Sequence, residues 1–212
     1  MNDIETIFID FNGTILDDVD LCLGLLNMLL ESQNKRLLDL DEYKHVFKFP
    51  IKDYYSDAGL DFKIESYESM AHKFIDKYSL FSLDCKLYDG VIETLKYIKK
   101  KKIRCVLLSA SEIHNLMTQL NHFKITDYFD DILGNSDIYA VSKETIALNY
   151  IKFKNIDINK AIMVGDTLHD YEVSKAINVK PYLVSCGHQA EDVISKSDAV
   201  IIKSLKDIIN YL

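Results

Sequence analysis

Ile4, Ile7, Phe8 and Ile9 make an apolar run that stops abruptly at Asp10 and gives way to Asn12-Gly13-Thr14. Such a run reads as a buried strand that delivers a carboxylate into a tight turn. The pattern recurs at Ala161-Ile162-Met163-Val164-Gly165-Asp166, with Asp170 one helical turn beyond Asp166. A third apolar run, Ile103 to Leu108, ends at Ser109-Ala110-Ser111. Chains in which apolar strands end on polar residues and alternate with helical segments are confined to few architectures.

The alternation is clear from Leu87 onward. Val91, Ile92, Leu95 and Ile98 lie on one helix face, the strand 103–108 follows, and Leu116, Met117 and Leu120 mark the next helix. Further strands are predicted at 161–165, 181–185 and 199–202, and Ser204 with Asp207 gives a capping-box-like start to a last helix. Right-handed crossovers then build a parallel sheet. The stretch after Thr14 behaves differently. Val19, Leu21, Leu23, Leu25, Leu26, Leu29 and Leu30 are too densely apolar for a surface helix, and Tyr67, Met70, Ala71, Phe74, Ile75 and Tyr78 recur at three- and four-residue spacing. Phe49-Pro50-Ile51 and Gly59 mark helix boundaries between them. The expected organisation is an α/β core from 1–16 and 86–212 with an all-helical insert at 17–85.

Two carboxylate-tipped strands can hold one hard cation between them, because Mg²⁺ takes oxygen ligands and keeps several waters. A hydroxyl and turn amides at Ser109-Ala110 suit phosphate oxygens. Ser142 reads as a helix cap, which sets the Lys143 ammonium near a helix N-terminus, a place that also favours an anion. In an open α/β sheet the ligands collect at the carboxyl ends of the strands, where Asp10, Ser109 and Asp166 would converge. Ser111 is expected to cap the helix that follows it.

The order and spacing of Asp10-Phe11-Asn12-Gly13-Thr14, Ser109, Lys143 and Gly165-Asp166-Thr167-Leu168-His169-Asp170 resemble the haloacid dehalogenase superfamily, and within it the phosphoglycolate phosphatase-like group with a helical cap. The resemblance covers the whole chain. It implies a doubly wound, Rossmann-like α/β core with an inserted helical cap, and an Mg²⁺-dependent phosphatase acting on a small phosphorylated metabolite. It also implies roles: Asp10 as the nucleophile that becomes an aspartyl-phosphate, Ser109, Ala110 and Lys143 as phosphate ligands, and Asp10, Asp166 and the Asn12 carbonyl as metal ligands. Asp170 would orient the lysine or a metal-bound water. Asn12 departs from the family pattern, which has an aspartate there as general acid and base, and an amide has no titratable proton near neutral pH. General acid–base catalysis is worth about 10²–10⁴-fold. The alternatives are therefore a weakly active or inactive phosphate-binding relative, or a phosphotransferase with a long-lived phosphoenzyme. Enzymes of the family that cleave carbon–phosphorus bonds carry an alanine at the Asn12 position and a cap lysine; Lys48 and Lys52 occupy a suitable stretch but nothing else singles them out.

A formal net charge of -8 in 212 residues argues against a nucleic-acid or anionic-membrane partner. No apolar run approaches the roughly 18 residues of a membrane span, and Met1-Asn2-Asp3-Ile4-Glu5 has no basic region leading into an apolar one. The expected setting is cytoplasmic, and the expected state is a monomer, since no apolar stripe is left unassigned. Cys22, Cys85, Cys105 and Cys186 are widely spaced and read as structural thiols. His45, His72, His114, His122 and His188 show no ligand spacing and read as surface or core-packing residues; His169 reads as a helix-start residue that faces solvent or packs locally, with substitution for the missing proton donor as the lesser alternative. Lys99 to Lys102 is the solvated end of a helix, and Tyr54-Tyr55 suits either cap packing or the substrate side.

Overall fold

The computed structural model describes residues 4–135 and 142–212; Met1, Asn2 and Asp3, read above for a leader, lie outside them. In chain order the elements are β1 (Thr6–Ile9), β2 (Leu16–Asp17), α1 (Val19–Ser32), α2 (Leu40–Val46), α3 (Ile51–Asp57), α4 (Tyr67–Phe81), β3 (Lys86–Leu87), α5 (Val91–Lys101), β4 (Arg104–Glu112) and α6 (Ile113–His122). They continue with β5 (Asp131–Asn135), α7 (Lys143–Lys154), β6 (Ala161–Gly165), α8 (Leu168–Ala176), β7 (Lys180–Val184), α9 (Glu191–Ile194) and β8 (Val200–Ile202), and close on a 3₁₀ segment, Leu205–Tyr211.

Six strands form one sheet in the order β5-β4-β1-β6-β7-β8, every neighbouring pair parallel. Ile9 of the central strand lies level with Leu107 on one side and Val164 on the other. The residues just beyond, Asp10, Ser109 and Asp166, therefore emerge along one edge. Successive residues of β1 face opposite ways. Ile7 and Ile9 pack with Leu95, Ile98, Leu116 and Leu120, whereas Phe8 packs with Ala147, Tyr150, Val173 and Ile177. The sheet is thus covered on both faces, the doubly wound arrangement expected.

Helices α1 to α4 gather around a core of their own, in which Val19, Leu26, Leu30, Tyr43, Tyr54 and Met70 are buried. Burial of each large apolar side chain there contributes about 1.5–3 kcal/mol. The chain leaves for this helical cap and returns from it through β2 and β3, which pair antiparallel over two residues each. Asp17 is thus in a strand, within a stretch expected to have none; two residues are too few to carry a period.

Further elements differ from expectation, among them the last helix, which is the 3₁₀ segment Leu205–Tyr211 behind its Ser204–Asp207 capping box. β5 had no counterpart in the sequence reading: it is a five-residue edge strand, mostly half-buried and lacking a continuous apolar run. β4 continues past Leu108 to Glu112 through an irregularity in its pairing with β5. Because the strand extends, Ser111 cannot cap α6. Glu112 does so, its carboxylate accepting from the backbone N–H groups of His114 and Asn115, both at 3.0 Å.

Candidate active site

Asp10 sits where β1 ends, almost wholly buried, and Lys143 opens α7 beneath it. Ser142 caps that helix as expected, its hydroxyl accepting from the Thr145 N–H. The Lys143 ammonium lies 2.5 Å from Asp10 Oδ1 and 2.6 Å from Asp170 Oδ1. Asp170 is held in turn: its Oδ2 accepts from the Thr167 hydroxyl at 2.7 Å and from the backbone N–H groups of Thr167 and Asp166. This is a capping box at the start of α8 that fixes the lysine's anchor. Ser109 is buried on the extended end of β4, and the Ala110 carbonyl accepts from the Asn135 amide at 2.7 Å. All seven residues singled out in the sequence, Asp10, Asn12, Ser109, Ala110, Lys143, Asp166 and Asp170, line one cavity of about 380 Å³ between sheet edge and cap.

The Asn12 side chain is held in a network that joins cap to core. Its amide donates to Asp18 Oδ2 at 2.8 Å and to the Tyr78 hydroxyl at 2.5 Å, while its Oδ1 accepts from the Ser111 hydroxyl at 3.0 Å. Asp18 also accepts from the Gly13 N–H at 2.9 Å and the Tyr78 hydroxyl at 2.7 Å, and its Oδ1 is 3.2 Å from His188 Nε2. The other ring nitrogen of His188 is hydrogen-bonded to Tyr43 in α2 at 2.7 Å. The sequence reading missed Asp18, Ser111 and His188 as members of the site. A signal existed for His188: it follows the carboxyl end of β7, where ligands collect. Asp18 offered none, being one of two adjacent acidic residues at a helix start. His169, expected to face solvent or pack locally, instead reaches the cap, where it stacks on Phe49 with ring centroids 4.5 Å apart.

Residues 7–184 match the family model described as haloacid dehalogenase-like hydrolase. The chain belongs to this family. Among curated relatives of the hydrolase, a phosphoglycolate phosphatase of Caulobacter vibrioides is 23% identical over 96% of this chain and 88% of its own length. A pyrophosphatase, PpaX, of Halalkalibacterium halodurans is 22% identical over 99% and 97%. A haloacid dehalogenase-like family hydrolase from Streptococcus pneumoniae superposes with a TM-score of 0.84 at 14% identity, covering 100% of this chain and 99% of that one. CbbY from Rhodobacter sphaeroides, solved in complex with phosphate, gives 0.72 at 14% identity, covering 97% and 96%. The structural likenesses establish the fold, including the cap.

The electrostatics of the hydrolase's site follow from burial. Desolvation pushes the Asp10 carboxyl up, against the pull of Lys143, and Asp170 adds to the rise. Asp166 is raised by burial and by its acidic neighbours Asp170 and Asp10, with His188 opposing. For Lys143, burial works against the charge, but Asp10 and Asp170 overcome it and hold the ammonium above its usual value. His188 behaves alike: burial lowers it, Asp18 more than compensates, and it ends raised.

The residues fit a hard divalent cation. Carboxylate oxygens of Asp10, Asp166 and Asp170 lie within 4.8 Å of one another in a buried place, and oxygen donors of this kind suit Mg²⁺. Gly13, at φ +68, and Gly187 pack so closely on Asp166 that a Cβ at either would collide with its carboxylate, which fixes the donor from two sides. Hydrogen bonds of the turn after Asp10 close on the Phe11 and Leu16 carbonyls and leave the Asn12 carbonyl out. With Asp170 bound to Lys143 and Thr167, Asp10, Asp166 and the Asn12 carbonyl are the groups suited to hold the metal.

Proposed function

We propose that this hydrolase is a Mg²⁺-dependent phosphatase of a small phosphate monoester, working through an aspartyl-phosphate on Asp10. The observation that carries the reading is the bridge of Lys143 between Asp10 and Asp170, which sets a nucleophilic oxygen beside a fixed cation at the mouth of the sheet. An Asp10 oxygen attacks phosphorus, the bond to the leaving oxygen breaks, and the ester alcohol departs with the electron pair. Lys143 and the Ser109 hydroxyl hold the phosphoryl oxygens as charge develops on them. Bound Mg²⁺ would supply further neutralisation of that charge. Water then attacks the acyl phosphate and frees Asp10. The cap encloses the site and keeps bulk water from the first step.

Asn12 gives this enzyme an unusual balance. Its amide proton donors are committed to Asp18 and Tyr78, and it has no proton to give a leaving group. That observation favours a second reading as well, in which the phosphoenzyme hydrolyses slowly and passes its phosphoryl group to another acceptor. Phosphate release measured with and without Mg²⁺, for the natural chain and Asp10→Asn, tests the nucleophile. The variant is expected to lose turnover while keeping its circular dichroism spectrum; undiminished release from it would overturn the assignment.

A further inference from the structure

The cavity above the phosphate site has a composition that names its occupant. Phe47, Phe49, Tyr54, Phe74, Ile75 and Tyr78 of the cap line it. Among the described residues that line the cavity, Lys143 is the one lysine or arginine, and it is engaged by Asp10 and Asp170 beside the phosphate site. The two histidines present are no substitute. Both ring nitrogens of His188 are engaged by Asp18 and Tyr43, and His169 is stacked on Phe49, with burial pushing it below its usual value. Glu112, at the end of β4, adds a negative charge to the lining. A leaving group bearing a carboxylate or a second phosphate would enter this space without a cation to receive it, at the full cost of desolvating a charge.

The chemistry at residue 12 leads independently to the same class. With no proton available from Asn12, the leaving oxygen must depart as an anion. A phenol ionises near pH 10, against about 15.7 for water, so a phenolate leaves unaided where an alkoxide needs a donor. Size agrees too: an apolar cavity of about 150 Å³ takes up benzene, and the roughly 380 Å³ here holds a ring as well as the phosphoryl group.

We propose that the leaving group served by this cavity is an uncharged, ring-sized phenol, so that the enzyme prefers aryl phosphates to esters that carry a second anionic group; the proposal rests on the phosphatase reading for its chemistry. In the step, the phosphorus–aryl oxygen bond breaks as the Asp10 oxygen–phosphorus bond forms. The phenolate takes its proton from solvent after release, and water hydrolyses the acyl phosphate to inorganic phosphate.

The experiment compares phenyl phosphate with 2-phosphoglycolate in Mg²⁺ by kcat/KM, and the unreactive analogues phenylphosphonate and phosphonoacetate by calorimetric binding. The expected result is an advantage of about tenfold or more for the phenyl member of each pair, the equivalent of burying about 55 Å² of apolar surface. If phosphoglycolate is turned over equally well or better, the leaving-group assignment fails and the phosphatase reading stands. If no ester is hydrolysed while phenylphosphonate binds about tenfold tighter than phosphonoacetate, the phosphatase reading fails and the aryl site stands. Equal or absent binding of the two phosphonates, with no preference in turnover, overturns the proposal.

Discussion

Asn12 and Asp18 share a hydrogen bond of 2.8 Å from the amide of one to the carboxylate of the other. Asp18 is buried and receives donors from Asn12, Gly13, Tyr78 and His188, and though burial opposes its charge, His188, Tyr78 and Asn12 hold the carboxyl below its usual value. The amide at position 12 is therefore matched to an anion behind it. In this chain the substitution of an acid by an amide is one half of a pair, and the other half is Asp18.

An aspartate in place of Asn12 would turn the donor into an acceptor and set two buried carboxylates in contact. One of the two would then be raised, so the folded state would hold a proton that the unfolded chain has released. Stability is present at low pH and lost as pH rises through the raised value. Asn12→Asp is expected to lower stability by about 1–3 kcal/mol at pH 8 and by much less at pH 5. Asn12→Asp combined with Asp18→Asn, which restores a donor between the two positions, should recover most of the loss at pH 8. Chemical denaturation of the three variants at both pH values checks this; an Asn12→Asp loss that does not grow with pH would contradict the pairing.

Metal dependence of stability should carry a sign of its own. Asp10 is pushed up to about 7 and Asp166 to about 8, from 3.8. Without metal, the folded state binds more protons than the unfolded one between roughly pH 4 and 8, and stability falls as pH rises through that window. A cation that replaces those protons relieves the fall, so the rise in Tm on adding Mg²⁺ is expected to be small at pH 5 and several degrees at pH 8. Asp166→Asn should flatten the metal-free pH dependence and shrink the Mg²⁺ effect together. Thermal melts across this range, with and without Mg²⁺, make the comparison; a Mg²⁺ shift independent of pH would exclude these two carboxylates as its source.

Much of this site was legible from the chain because its groups sit at the ends of apolar runs. Asp10 and Asp166 follow strands whose buried residues announce themselves, and parallel register then brings the two carboxylates together. Lys143 was found through its helix cap at Ser142. What escaped has a common cause. Ser111 follows a strand that runs on through an irregular pairing, β2 and β3 are too short for a period, and β5 is a half-buried edge strand. Asp18, Tyr78, Tyr43 and His188 meet across as many as 170 positions of sequence, and only folding of the cap onto the core brings them into one network. Local pattern cannot contain such a meeting.

The absence of a proton at residue 12 should be visible in how turnover responds to the leaving group. When nothing protonates the departing oxygen, negative charge builds there in the transition state and the rate follows its basicity closely. For a series of substituted phenyl phosphates, log kcat/KM of the natural chain is expected to fall steeply with the pKa of the phenol. Asn12→Asp, assayed near pH 5–6 where the shared proton with Asp18 is retained, should give a shallower line and gain most, about 10²-fold or more, on the poorest leaving groups. At pH 8 that gain should shrink, because the carboxyl pair has lost its proton. A natural chain with a shallow line would mean that some other group donates the proton, and Tyr78, hydrogen-bonded to both Asn12 and Asp18, would then be the first to replace by Phe.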